Sequence, residues 1–221
     1  MNTAQQIPLD LAMRPAHGRE DFLISPSNTD AVAWIDRWPD WPAPLLVISG
    51  PAASGKSHLA AVWGDKADAT HINPETLIQE TAEDIASAAP SLVIDGLDLW
   101  IGEREAETTL FHLYNIFREE RRTFLITSRM NPTTLGFTIP DLASRFRAAP
   151  IATSREPDDM LLASILIKLF TDRQLTITNE ILSYILPRME RSFAAAAAIA
   201  ENADNLAYSQ KNKITIPLIR D

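Results

Sequence analysis

The sequence predicts an α/β domain, built on a parallel sheet flanked by helices and followed by a small all-helical lid domain. From residue 21 to about 154, short apolar runs alternate with amphipathic helical segments, and this order produces a parallel sheet covered on both faces. From 155 to 221 the patterns are almost all helical. Residues 1–20 show neither the helical nor the strand periodicity of apolar residues, so we expect a flexible tail there.

The predicted strands are runs of three to six residues, and all but the short one at 70–73 are mainly apolar. They lie at 45–48, 70–73, 90–95, 123–127 and 149–151. Among the helices, apolar residues recur at i, i+3, i+4 and i+7 within 103–122, which is typical of an amphipathic helix. A helix over 74–88 is predicted to turn Leu77, Ile78 and Ile85 inward. Three lid helices are predicted to begin at Asp158, near Asn179 and at Ser192.

The first strand leads directly into a phosphate-binding motif, which fits G-x-x-x-x-G-K-[ST] at every fixed position. The motif consists of Gly50, Pro51, Ala52, Ala53, Ser54, Gly55, Lys56 and Ser57. The two glycines let successive backbone N–H groups converge on an anion. Lys56 is expected to bridge the outer phosphates and Ser57 to bind Mg²⁺. The motif therefore predicts a site for ATP or ADP with Mg²⁺.

The apolar run at 90–95 ends in Asp95. In P-loop proteins, an aspartate at the end of a strand beside the phosphate loop helps to hold Mg²⁺, and Asp95 is the candidate here. Many P-loop ATPases place another carboxylate immediately after this aspartate to polarise the attacking water. This chain has Gly96 there, and its next acid is Asp98. The pattern favours nucleotide binding over autonomous hydrolysis.

The run at 123–127 places two hydroxyl groups at the end of another strand. Thr127 and Ser128 are candidates to reach the outer phosphates. An ordinary turn at the end of a strand explains both residues equally well. The residues alone leave these alternatives open.

Composition excludes several other classes of protein. The net charge of −9 argues against a basic face for nucleic acid. With no cysteine, the chain can form neither a disulfide nor a thiolate metal site, and its four histidines lack metal-ligand spacing. No long apolar run or signal-like segment is present. We therefore expect a cytoplasmic protein without membrane association or sequence-specific DNA binding.

Several segments together resemble the DnaA-related AAA+ ATPases. They are Phe22–Ile24 with Ser27–Asn28, Gly55–Leu59, Asp95, Thr127–Arg129 and Leu142–Phe146. The resemblance stops where the initiator would continue into a helix-turn-helix DNA-binding domain. Within this family, the run at 190–195 resembles the alphaproteobacterial form of the Hda proteins, the regulatory inactivators of DnaA.

The resemblance implies roles for individual residues. Arg145 would be an arginine finger that acts in trans on ATP bound to DnaA. In many AAA+ proteins a lid arginine senses the nucleotide, but its position falls near Ala194. Either Arg191 replaces that arginine, or the contact is missing. Beyond the loop, the implied nucleotide contacts are Leu23, Ile24, Asn28, His58, Asp95, Ser128 and Arg191.

The tail contains Gln6-Ile7-Pro8-Leu9-Asp10-Leu11. A polar anchor followed by spaced aliphatic side chains suits an apolar groove on another protein, although composition alone favours an inert tail. In the Hda family a Gln-x-x-Leu-x-Leu motif binds the DNA polymerase sliding clamp. By resemblance, Gln6, Ile7, Leu9 and Leu11 would bind this clamp.

These observations lead to one main hypothesis. The chain would hold ADP, bind the clamp through its tail and stimulate hydrolysis of DnaA-bound ATP, as a homodimer or as part of an AAA+ hetero-oligomer. A helicase-loader or clamp-loader factor is one alternative. An independent P-loop kinase or ATPase is the other.

Overall fold

A computed structural model describes residues 23–210 and 215–216. Its five strands are β1 (Leu45–Ser49), β2 (Ala69–Ile72), β3 (Ser91–Ile94), β4 (Thr123–Ser128) and β5 (Ile151–Thr153). All pairings are parallel, in the order β2-β3-β4-β1-β5. The predicted parallel sheet is confirmed, with strand bounds shifted by up to two residues. The predicted clamp motif at 6–11 lies outside the described residues.

Helices cover both faces of this sheet. They are α1 (Thr29–Asp36), α2 (Lys56–Ala67), α3 (Thr76–Gln79), α4 (Ala82–Ala88), α5 (Arg104–Glu119) and α6 (Pro140–Ala148). Because side chains alternate along a strand, Leu45 and Val47 of β1 pack in the core with α4, α5 and α6. Leu46 and Ile48 pack in the core with α1 and α2 on the opposite face.

The segment 74–88 differs from the single predicted helix. The helix breaks after Gln79, and Thr81 caps a new helix by accepting a hydrogen bond from the backbone N of Asp84 at 3.2 Å. This break changes the helical phase. Leu77 and Ile85 are buried as predicted, but Ile78 is 42% exposed, so its predicted inward orientation was wrong.

Three helices form a separate apolar cluster after the sheet. They are α7 (Asp159–Asp172), α8 (Asn179–Ile185) and α9 (Phe193–Gln210), which we call the lid helices. Asp158 and Thr178 cap α7 and α8 by accepting backbone N–H bonds. The predicted starts of these helices are confirmed to within a residue. Among the described residues, no helix has the length and apolarity needed to span a membrane.

Candidate nucleotide-binding site

The phosphate loop joins the carboxyl end of β1 to the first turn of α2, and two of its glycines are required by geometry. A Cβ at Gly50 would lie 1.9 Å from the carbonyl oxygen of Ser154, and the Gly50 N–H donates to the Ser128 carbonyl at 3.1 Å. Gly55 has a φ of +86°, a left-handed conformation that favours glycine. The loop therefore curls at the sheet edge where β1, β4 and β5 end, and α2 begins directly after it.

The side chain of Lys56 lies within this curl. It is 8% exposed, and its Nζ donates to the Pro51 carbonyl at 2.6 Å and contacts Ser54 Oγ at 3.5 Å. Burial lowers the pKa of Lys56, assisted by Arg129 and opposed by the charges of Asp95 and Asp98. The loop thus holds a buried cation against its own carbonyl and hydroxyl oxygens.

Ser57 and Asp95 are brought together as the sequence analysis predicts for a magnesium site. The Ser57 hydroxyl donates to Asp95 Oδ2 at 2.8 Å, although 38 residues separate them. A hydroxyl and a carboxylate fit Mg²⁺ when nucleotide phosphates and water complete its shell. Within the described residues, no group of three or more His, Asp or Glu side chains could hold a metal without such help.

The backbone and side chains just after Asp95 form a hydrogen-bonded corner. Gly96 has a φ of +90°, and its N–H donates to Thr127 Oγ1 at 3.0 Å, while the Thr127 hydroxyl donates to Asp95 Oδ1. Asp98 accepts a bond from the backbone N of Arg129 at 2.8 Å. Glycine has no side chain that could orient water at position 96. The next carboxylate along the chain, Asp98, is already hydrogen-bonded to the backbone of Arg129.

The two hydroxyl groups at the end of β4 have different surroundings. Thr127 is 1% exposed, and its hydroxyl donates to Asp95, so it lies beside the proposed magnesium site and not in a simple turn. Ser128 is fully buried, and its Oγ accepts a bond from the backbone N of Met130 at 3.2 Å. This hydrogen bond is typical of a turn at the end of a strand.

The segment before α1 folds back toward β5. Asn28 is 3% exposed; its amide donates to the Leu23 carbonyl at 2.9 Å and its Oδ1 accepts from the backbone N of Ser25. Leu23 packs against the lid cluster, whereas Ile24 packs against the core below α1 and α2. Asn28 therefore holds in shape a segment that contacts both the sheet and the lid.

Arg145 lies on α6 with its guanidinium over two rings of α5. Its Cζ is 4.5 Å from the Phe111 centroid and 4.8 Å from that of Tyr114. The Nη1 atom is buried and has no hydrogen-bond partner among the described residues. Sequence reasoning missed this cation–π cradle, although 111 and 114 lie three residues apart and so share a helix face.

Two residues next to the start of α9, Arg191 and Phe193, differ in their contacts. Arg191 pairs with Asp159 at 2.8 Å and donates to the Pro157 carbonyl at 3.2 Å, so its contacts are with the start of α7. The ring of Phe193 instead lies against the phosphate loop at Gly55. The sequence analysis did not select Phe193, because an isolated phenylalanine next to an alanine run indicates only packing.

Fold and site together define a class. A phosphate loop after β1, an aspartate directly after β3 and three lid helices after a sheet of this strand order form the AAA+ ATPase fold. More particularly, the chain is similar in sequence to the replication initiator DnaA, and its fold is that of DnaA domain III.

Three comparisons support this relationship. The chain is 23% identical to DnaA of Treponema denticola over an alignment that covers 92% of the chain and 47% of that protein. Domain III of Thermotoga maritima DnaA superposes with a TM-score of 0.74 at 18% identity, covering 90% of this chain and 91% of that one. AMPPCP-bound DnaA from Aquifex aeolicus gives a TM-score of 0.69 at 17% identity, covering 85% and 63%.

The scope of these similarities differs between the comparisons. No family model matches the sequence. The chain spans about half the length of the curated relatives it matches. At 17–18% identity, the structural matches establish the fold alone.

Proposed function

We propose that this protein is a regulatory inactivator of DnaA of the Hda type. In this proposal its own site holds ADP with Mg²⁺, its tail binds the DNA-loaded sliding clamp, and it stimulates hydrolysis of ATP bound to DnaA. The protein would act in the cytoplasm, next to DnaA, as a homodimer or within an AAA+ hetero-oligomer.

The observation that carries this proposal is the corner at Asp95 and Gly96. The Ser57–Asp95 pair supplies what a nucleotide and Mg²⁺ need for binding. The next position is a glycine whose N–H is bonded to Thr127, and the carboxylate of Asp98 is engaged by Arg129. A phosphate loop with this pair, and with no free carboxylate at positions 96 and 98, favours retention of ADP over autonomous turnover.

In this proposal, Arg145 acts in trans, on the ATP that is bound to DnaA. A guanidinium placed at the phosphates of a neighbouring protein neutralises the charge that develops during phosphoryl transfer. The rings of Phe111 and Tyr114 hold the Arg145 cation at the surface of α5, and its unpaired Nη1 retains a donor for an anion. Docking on DnaA would have to turn this side chain outward.

A comparison of two reactions tests the proposal. The isolated protein, given ATP alone, should bind nucleotide and show little turnover. DnaA preloaded with ATP should hydrolyse it faster once this protein, ADP and a clamp loaded on DNA are added. Rapid hydrolysis or phosphoryl transfer by the isolated protein would instead support the kinase or ATPase alternative.

The clamp contact has its own test. Replacement of Gln6, Leu9 and Leu11 together by alanine should abolish retention on immobilised clamp and, with it, the stimulation of DnaA, while ADP binding persists. Replacement of Gln5, which lies outside the Gln-x-x-Leu-x-Leu pattern, is the matched control. Undiminished retention of the triple variant would remove the tail from the mechanism, and binding to helicase or to clamp-loader subunits instead would favour the loader alternative.

A further inference from the structure

The lid meets the phosphate loop through an aromatic ring. Phe193 is the first residue of α9, and a Cβ built at Gly55 would lie 2.8 Å from its Cε2 atom, so the ring lies directly on the loop backbone. The ring of His58, in the first turn of α2, is 6.0 Å away between centroids. Phe193 also packs against the lid cluster. One ring is therefore shared by the lid and the loop.

The start of α9 fixes the position of this ring. Ser192 is 2% exposed, and its Oγ accepts a bond from the backbone N of Ala195 at 3.0 Å, which is the geometry of a helix N-cap. The cap holds the backbone of Phe193 in the helix, and the ring packs against the lid cluster, so the ring and α9 are positioned together. Displacement of the loop at Gly55 would therefore push α9 as a whole.

The charged residues of the nearby lid have other contacts. The guanidinium of Arg191 is held by Asp159 and the Pro157 carbonyl. Lys168 on α7 is close enough to His58 that partial burial of the histidine ring, together with the lysine charge, lowers the pKa of His58. The contact with the loop itself is made by the uncharged ring of Phe193.

We infer that Phe193 is a positioning residue, whose ring couples the lid helices to the phosphate loop when a nucleotide binds there. This coupling is the same for ATP and for ADP. This inference rests on the proposed nucleotide site. A lid arginine gains a charge-assisted bond from the outermost phosphate and therefore favours the triphosphate. A phenyl ring gains only packing, which depends on the loop and not on the number of phosphates.

The test measures binding of ADP and of AMPPCP, an ATP analogue, by calorimetry. Phe193→Ala should weaken binding of both ligands by the same factor, about tenfold, since an aromatic contact contributes roughly that much. Phe193→Tyr should restore binding to within about threefold of the unaltered chain, because the ring is retained. Phe193→Arg should raise the preference for AMPPCP over ADP about tenfold, because it supplies the missing charge.

A second measurement separates coupling from simple loss of stability. Addition of ADP should slow hydrogen exchange in α9 of the unaltered chain, and this protection should disappear in Phe193→Ala. Met160→Ala, at an exposed position on α7, is the matched lid control and should keep both the affinity and the protection. Thermal unfolding of each variant verifies that it is folded.

Several outcomes would overturn the inference. Equal binding and equal protection in Phe193→Ala and the unaltered chain would exclude the ring while leaving the nucleotide site intact. A loss confined to AMPPCP in Lys168→Ala would assign nucleotide sensing to a lid cation. If the unaltered chain binds neither ligand, the proposed nucleotide site fails, and this inference fails with it.

Discussion

At the scale of single residues, the phosphate loop depends on the two glycines of its motif and on one buried lysine. The need for glycine at 50 and 55 and for lysine at 56 follows from the chemistry of an anion cradle. The group that leaves no room for a side chain at position 50 is the carbonyl of Ser154, more than a hundred residues away in the sequence. No local pattern identifies that partner, because its approach depends on strand order.

Gly50→Ala should destabilise the fold. A methyl group 1.9 Å from a backbone carbonyl cannot be relieved by rotation of a side chain, so β1 and the segment after β5 must separate. Overpacking of this kind costs about 1–3 kcal/mol, measurable by urea unfolding. Gly136→Ala is the matched control, since nothing lies within 4 Å of a Cβ there; equal effects of the two changes would contradict the structural role.

Lys56→Ala should weaken ADP binding about 100-fold, because bonds between a cation and phosphate each contribute roughly 1.5–3 kcal/mol. Calorimetry of the isolated chain measures this loss. Lys66→Ala changes a lysine at the other end of α2, where Nζ contacts the Ile35 carbonyl and the Trp38 ring. Affinity similar to the unaltered chain is expected for that control, and a comparable loss in both variants would argue against a phosphate role for Lys56.

At the scale of elements, the face of α5 that carries Glu107, Phe111 and Tyr114 contacts both the start of α6 and the side chain of Arg145. Glu107 is 1% exposed and accepts bonds from the backbone N–H groups of Gly102, Thr138 and Ile139 and from the Thr138 hydroxyl. From sequence, Glu107 is one more acid in the first turn of a helix. Its burial could not be predicted because most of its partners, at Thr138 and Ile139, come from a loop about 31 residues later.

Glu107→Gln should lower the free energy of unfolding by about 2–3 kcal/mol at neutral pH, because an amide N–H would face backbone N–H donors. Burial alone would raise the pKa of Glu107, but the hydrogen bonds outweigh it and lower the pKa below its usual value. A lowered pKa in the folded state means that the stabilisation is complete above the unfolded-state pKa. It is lost as pH falls through the folded-state value.

Urea unfolding across a pH series measures this difference. The difference in free energy of unfolding between the unaltered chain and Glu107→Gln should be largest at neutral pH and should disappear in acid. Glu105→Gln, an exposed acid on the same helix, should leave stability nearly unchanged at every pH. A gap for Glu107→Gln that persists unchanged into acid would show that the ionised carboxylate is not the source of the stabilisation.

At the scale of the whole molecule, the sheet order brings together groups that are distant in sequence. Parallel pairing of β1 with β4 and of β4 with β3 places the phosphate loop, Asp95 and Thr127 at one edge. The alternation of strands and helices predicted this edge and the Ser57–Asp95 pair. It could not predict the contact between the Phe193 ring and Gly55. The sequence of each element indicates its own apolar face, but not which other element packs against that face.

The proposed action on DnaA depends on the molecule as a whole, because the clamp motif, the nucleotide site and Arg145 lie in different parts of the chain. Arg145→Ala should abolish stimulation while the protein still binds ADP and clamp. Arg147→Ala, at an exposed position on the same helix, is the matched control. The two arginines differ in the aromatic cradle that holds only the first.

The most direct test is therefore the rate of hydrolysis of DnaA-bound ATP in the presence of DNA-loaded clamp, ADP and either the unaltered protein, Arg145→Ala or Arg147→Ala. We predict a large stimulation with the unaltered protein and with Arg147→Ala, and a loss of about 1000-fold or more of the added rate with Arg145→Ala, as for other arginine fingers. Full stimulation by Arg145→Ala would contradict the proposal that this arginine completes the ATPase site of DnaA.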